Sequence, residues 1–285
     1  MLTEAEYVEQ QRQLGKRLHE HDGVWWSAPY LFYAKPAFQF RSFPPGTAKP
    51  RLTKSLLGYT HLVPDRRYAN STAEFMILEG EDLRQFSMAR LRKEKRNQVR
   101  KGLRLCEVRP ITSLEPCIEE IRQINISQAK RLMKHDTFGL PDTYYIEHEQ
   151  EWKAAMRRRF DVGVNEWWGA FHEGMLVAYM ETCQVENLRF GVVMKAHSDH
   201  LKLCATDAIY FTVLMHASRD LMCDSINHGE PMHESVNWFK QQFLFKRTVV
   251  FRFVSNEALH TAAKRLLRCK EVLRAHFQRF RSPNF

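Results

Sequence analysis

Between Asp224 and Phe245 the chain reads DSINHGEPMHESVNWFKQQFLF. The stretch gathers an amide, an imidazole, a carboxylate and an ammonium around one glycine and one proline. Asp224 to Asn227 reads as a short strand, and His228-Gly229-Glu230-Pro231 as a turn, because glycine and proline interrupt regular structure. A short helix opens at Glu234 or Ser235. In it Val236, Phe239 and Phe243 stand three and four apart and share one face. Lys240 projects beside Phe239. A strand tip bearing Asn227, a turn and a lysine-bearing helix place polar groups at the mouth of a sheet, which is where open α/β sheets bind ligands. The same residues also suit an ordinary strand–turn–helix connection with a surface lysine.

A second concentration of chemistry lies in the segment Leu83 to Leu105, which reads as one helix. It carries nine arginines and lysines against the single acid Glu94. Arg92, Arg96, Arg100 and Arg104 recur every fourth residue and form one cationic row. Such a row repels itself unless an anion or an acidic surface faces it. Phosphates would suit it, since arginine donates to them bidentately. Pairing of Arg92 and Arg104 with Glu115 or Glu119 of the next helix is the structural alternative.

Other reactive residues form no recognisable site. His197, His200, His228 and His233 crowd nearby loops without metal-ligand spacing, so no metal is expected. The six cysteines make no CxxC pair and read as reduced; Cys183, Cys204 and Cys223 sit in apolar contexts, where a thiol behaves as a small hydrophobe.

The elements that must position these groups follow from pattern. A length of 285 residues allows one large domain or two small ones, and 44% hydrophobic residues supply a core. Glu4 to His19 reads as a helix. The aromatic-rich Val24 to Phe43, broken by Pro29 and Pro36, reads as short strands, with further strands at Ser55 to Pro64 and Glu74 to Leu78. Helices follow at Leu114 to Met133 and Thr143 to Phe160. A hairpin then runs from Trp167 through His172-Glu173-Gly174 to Gln184, followed by a strand at Leu188 to Lys195 and an apolar helix at Leu203 to Leu221. The strand at Asp224, the short helix and a strand at Thr248 to Ser255 complete an order α-α-β-β-β-α-β-α-β. Asn256 to Phe280 reads as a basic C-terminal helix. The net charge of +10 favours an anionic partner. No apolar run approaches the ~20 residues of a membrane helix and no signal peptide is visible, so the expectation is a soluble cytoplasmic protein.

The segment Trp167 to Val254 resembles the second half of a Gcn5-related N-acetyltransferase (GNAT) domain of the Fem type, the branch of peptidoglycan-bridge aminoacyltransferases and their acetyltransferase-like relatives. The hairpin WWGAFHEGMLVAYMETC, the helix after it and the Asn227-His228-Gly229 tip carry the likeness. FKQQFLFK, from Phe239 to Lys246, resembles the family's Phe-Lys-x-x-Phe-Gly ending. Arg96-Asn97-Gln98-Val99-Arg100-Lys101 resembles its Arg-x-x-Ile-Arg-Lys signature. The likeness spans about Glu74 to Val254.

The resemblance implies an α+β GNAT fold, with a mixed, mostly antiparallel sheet flanked by helices and preceded by an abbreviated GNAT-like N-terminal unit. The expected division is 1–105, 106–256 and a C-terminal helix over 257–285. The implied activity is transfer of an acyl or aminoacyl group, from acyl-CoA or aminoacyl-tRNA, to an amine on a small molecule or peptide. No tightly bound cofactor is expected. Two parallel strands, Leu188–Lys195 and Asp224–Asn227, would splay to admit the donor's acyl end. Lys240 would stabilise an oxyanion or hold a donor phosphate, and Phe239 would shape the wall. His228 and Glu181 are candidate proton acceptors. Asn227, Lys195 and Lys202 are candidate substrate contacts. On electrostatic grounds Arg92, Arg96 and Arg100 would meet the phosphates of a large anionic substrate, either tRNA or a nucleotide-linked acceptor. Two departures stand out. The loop Lys195 to Lys202 before the long helix has no glycine for a pyrophosphate, and Leu244 stands where the family has glycine. A tRNA-binding or non-catalytic GNAT-like protein is the rival reading.

Overall fold

The computed structural model describes residues 1–30, 33–133 and 140–259. The expected C-terminal helix and Cys269 therefore lie outside the described residues, apart from the first helical residues after Asn256. By its contacts the chain forms two compact units, Met76–Arg247 and Leu2–Phe75 with Thr248 onward.

The smaller unit contains α1 (Glu4–Gln13), β1 (Leu18–His21), β2 (Val24–Tyr30), β3 (Tyr33–Pro36), β4 (Gly58–Leu62) and the start of β5 (Ser71–Glu79). Thr3 and Glu6 cap α1 reciprocally. The helix ends earlier than its sequence suggests. Gly15 takes a positive φ, and the chain turns into β1, which pairs antiparallel with β2. The aromatics read as core or base-stacking surface are core at Trp26, Tyr33, Phe38 and Phe43.

The larger unit continues with α2 (Gly80–Arg84), α3 (Lys93–Leu105), β6 (Glu107–Pro110), α4 (Ile118–Met133), α5 (Asp142–Glu147), α6 (Glu149–Asp161), β7 (Glu166–His172), β8 (Met175–Val185), β9 (Leu188–Ala196), α7 (Ala205–Arg219), β10 (Ser225–Asn227) and α8 (Glu234–Gln242). β11 (Lys246–Val254) returns the chain to the smaller unit, where it pairs with β4. In the larger unit the strand order is β5-β10-β9-β8-β7-β6. Every pairing is antiparallel except β10 with β9.

Both faces of this sheet are covered. On β7 and β8, Trp168, Ala178 and Met180 pack with α3 and α7, whereas the alternating Trp167 and Tyr179 pack with α4 and α6. That is why β8 reads as an almost continuous apolar run. The single helix expected over Leu83 to Leu105 is instead α2, a short turn at Met88–Arg90, and α3. Phe86 and Leu91 point about 140° apart on an ideal helical wheel, yet both join the same core as Leu83 and Val99. Breaking the helix brings all four inward.

Candidate active site

β10 is three residues long and pairs with β9 only as far as Asn227 opposite Phe190. From Gly191 to Ala196, β9 continues with β8 alone among the paired strands. The two parallel strands thus separate, as expected. A cleft of about 870 Å³ opens where they do, lined by residues of α4, β9, α7 and α8 and by the turn after β10.

His228 stands at the fork. A Cβ on Gly191 would lie 2.4 Å from its Cε1 atom, so only glycine lets the ring approach β9 this closely. His228 Nε2 is 3.1 Å from Tyr210 Oη, and the ring packs edge-on against Phe245. Burial pushes its pKa down to about 3, with the Lys240 charge acting in the same direction. Burial thus disfavours the protonated ring and weakens His228 in the proton-acceptor role read from the sequence.

Lys240 lies on α8, 6% exposed, with its side chain in the cleft wall. Burial lowers its pKa. Among the described residues no carboxylate pairs with it. Phe239 also lines the cleft and packs against Tyr210 and Phe243. Phe243 is fully buried, but Val236, assigned to the same apolar face, is 38% exposed in the cleft wall. Val236 stands in the first turn of α8, about two turns before Phe243. Asn237, unforeseen, is fully buried and clamps the turn by exchanging hydrogen bonds with the Met232 backbone at 2.9 and 2.8 Å.

On the opposite wall, Lys195 of β9 donates to Asn125 Oδ1 of α4, and its ammonium lies 5.7 Å from the Tyr145 ring centre. Burial lowers the Lys195 pKa to about 8 against the opposing charge of Glu181. Asn125 donates in turn to Ile121 O and to Tyr179 Oη. Neither Asn125 nor Arg131 was singled out in the sequence. The available signal was a polar residue on the otherwise apolar face of α4.

Several candidates fall elsewhere. Glu181 is 1% exposed and does not line the cleft. Its carboxylate is held by Arg159 at 2.8 Å and Asn165 at 2.7 Å. Asn227 spends its side-chain oxygen on Gly229 N, at 2.8 Å. Lys202 is exposed in the turn Ser198–Leu203, outside the cleft lining. The left-handed position before α7 is taken by Cys204, φ +58°, and Gly102 of α3 packs so closely there that a Cβ would meet Cys204 O. Leu244 takes φ +70°, the left-handed conformation that glycine adopts without strain. The cationic row divides. Arg96 donates to the carbonyls of Ala89 and Leu91 and is structural, while Arg92, Arg100 and Arg104 are exposed. Glu115 pairs with Arg157, and Glu119 with Arg122 and Lys153, so neither acid serves the row.

Glu181 gives a testable pH dependence. Burial raises its pKa to about 7, opposed by Arg159, Asn165 and Lys195. A folded-state pKa above the unfolded value means that the folded protein holds the proton more tightly, so this contribution to stability is lost as pH rises from about 4.5 to 7. Glu181→Gln should remove up to about 3 kcal/mol of that slope. Denaturant unfolding of both proteins at pH 5 and 7.5 measures it; parallel profiles would contradict the assignment.

No family model matches the sequence, and no curated protein matches it. Solved structures do. FemX matches with a TM-score of 0.59 and 9% identity, over 95% of this chain and 94% of that one. The C-terminal domain of a putative lysylphosphatidylglycerol synthetase from Agrobacterium fabrum matches at 0.58 and 13%, over 93% and 91%. L-PGS from Bacillus licheniformis matches at 0.51 and 13%, over 87% and 90%. The chain shares their fold, in accord with the α+β, Fem-type GNAT architecture that the motifs imply. Among the described residues no helix is long and apolar enough to cross a membrane.

Proposed function

We propose that the cleft carries out N-acyl transfer from an anionic thioester or ester donor to an amine. The observation that supports this most is Lys240, a buried ammonium with no carboxylate partner among the described residues, set where two parallel strands part. Such a charge stabilises the fold poorly and suits a carbonyl oxygen that becomes negative. The attacking nitrogen enters as the free amine and forms a C–N bond. The tetrahedral oxyanion faces Lys240, and its collapse breaks the C–S or C–O bond. The proton released from the nitrogen ends on the departing sulfur or oxygen. His228 and Tyr210 shape the fork and exclude water there. The names of the structural neighbours, FemX and lysylphosphatidylglycerol synthetase, accord with an acyl-transferring role.

Acetyl-CoA and aminoacyl-tRNA are the two donors to compare. Incubation with each and with mixed amines, read by mass spectrometry, should give an N-acylated product with one of them; no product with either, from folded protein, would overturn the reading. A donor at a hundred times its Kd should also add about 2.7 kcal/mol to thermal stability. Arg92 and Arg100 lie outside the cleft lining and are proposed to hold the phosphates of the larger donor. Arg92→Ala/Arg100→Ala should raise KM for aminoacyl-tRNA severalfold and leave an acyl-CoA reaction unchanged. An equal effect on both donors would remove the row from donor binding.

A further inference from the structure

The cleft lining is electrostatically one-sided. It contains Lys195, Lys240 and Arg131 and, among the described residues, neither aspartate nor glutamate. Two of the cations stand away from Lys240, on the wall built by α4 and β9. Asn125, Gln128 and Leu132 are spaced three, four and seven apart on α4, so one helix face looks into the cleft. Arg131, beside them, lines it too.

This wall holds hydrogen-bonding capacity that the described residues do not use. Arg131 Nε is buried and has no hydrogen-bond partner among the described residues, and burying such a donor without a partner is costly. Lys195 Nζ is anchored on Asn125 Oδ1, itself 3% exposed and fixed by Ile121 O and Tyr179 Oη. The nearest balancing carboxylate, Glu181, is taken by Arg159 and Asn165. A planar guanidinium with an unused Nε–H, in the same cleft lining as the anchored Lys195 ammonium and the Gln128 amide, matches a carboxylate, which accepts two parallel N–H bonds from arginine.

We propose that this wall is the acceptor subsite, and that it selects amines bearing a carboxylate, such as a free amino acid or a peptide with an acidic end, through Arg131, Lys195 and Gln128. The inference rests on the acyl-transfer reading for the word acceptor, but the carboxylate site is testable without catalysis. Lys240 serves the donor across the cleft, and the two cationic walls divide the two substrates.

Binding of N-acetylglycine and N-acetylglycinamide, which differ only in carboxylate against amide, can be compared by calorimetry or ligand-observed NMR. The carboxylate should bind at least tenfold more tightly. Arg131→Gln and Lys195→Met should each bring the two probes to within about twofold, and Arg131→Lys should restore only part of the preference, because it returns charge without the fork. Arg131 is partly exposed in the last turn of α4, so these variants should fold, and circular dichroism checks this. No preference in the native protein, or a preference that survives Arg131→Gln, overturns the proposal. So does tighter binding of O-phosphoethanolamine than of glycine, which would make the wall a phosphate site. If the carboxylate preference holds and depends on Arg131 while no donor yields product, the subsite stands and the acyl-transfer reading fails.

Discussion

Lys240→Met should abolish acyl transfer and raise the melting temperature together. The rate effect follows from the oxyanion role. Loss of one preorganised donor to such a centre costs about 10²–10³ in kcat. The stability effect follows from burial. Lys240 is 6% exposed without a carboxylate partner among the described residues, and its pKa is lowered by loss of solvent. A lysine whose folded pKa lies below its unfolded one penalises the folded state at neutral pH. The penalty fades as pH rises through the folded value toward the unfolded one. Methionine keeps the packing of the stem and removes the charge. The melting temperature should therefore rise by a few degrees at pH 7, with a smaller gain at pH 10. Retained turnover in a folded variant would exclude Lys240 from the chemistry. A fall in melting temperature would show that the ammonium has a stabilising partner.

Lys95→Ala should cost about 3–5 kcal/mol, the usual loss when one partner of a buried ion pair is removed. Lys95 is 3% exposed. Its ammonium lies 2.5 Å from Asp207 Oδ1 in the first turn of α7 and 4.8 and 5.2 Å from the ring centres of Phe239 and Phe243. The pair ties α3 to α7 and backs the aromatic wall of the cleft. Without Lys95, the Asp207 carboxylate is left buried beside two rings. Lys95→Met/Asp207→Leu should recover most of the loss, because the charge is then gone along with its partner. Arg100→Ala, on an exposed position of the same helix, should fall within about 0.5 kcal/mol. Guanidinium unfolding of the four proteins separates these outcomes. A loss below 1 kcal/mol in Lys95→Ala would mean that Asp207 reaches solvent once its partner is removed.

These two lysines show how far local pattern reaches. The place of Lys240 on a short helix after the strand and turn was legible because local signals agree: a strand, a turn with Gly and Pro and a short helix follow in order, and each depends on residues a few positions apart. Lys95 was counted within a cationic run because its neighbours in sequence are cations. Its partner lies 112 residues away, and no periodicity in α3 announces it. The turn at Met88–Arg90 was missed for a related reason, since a run of good helix formers hid a break made to bury Leu83, Phe86 and Leu91 in one core.

The sequence by itself determined the element order from β7 to β11, the apolar run of β8, the tight hairpin at His172-Glu173-Gly174 and the strand–turn–helix that carries Lys240 and Phe239. Each follows from residue spacing and turn chemistry, which act within a few residues. But it read Thr143 to Phe160 as one helix where the chain breaks at His148 into α5 and α6. Tertiary structure alone decided the ionisation of the site. It paired Glu181 with Arg159 and Asn165 outside the cleft lining, lowered the basicity of His228 by burial, anchored Lys195 on Asn125 and left Arg131 Nε without a hydrogen-bond partner among the described residues. The physical reason is that a group's charge and its hydrogen bonds depend on which distant segments displace its water. The parting of β9 and β10 lies between these limits: the sequence names the two strands, but the cleft exists only because Asn227 ends the pairing while β9 runs on to Ala196.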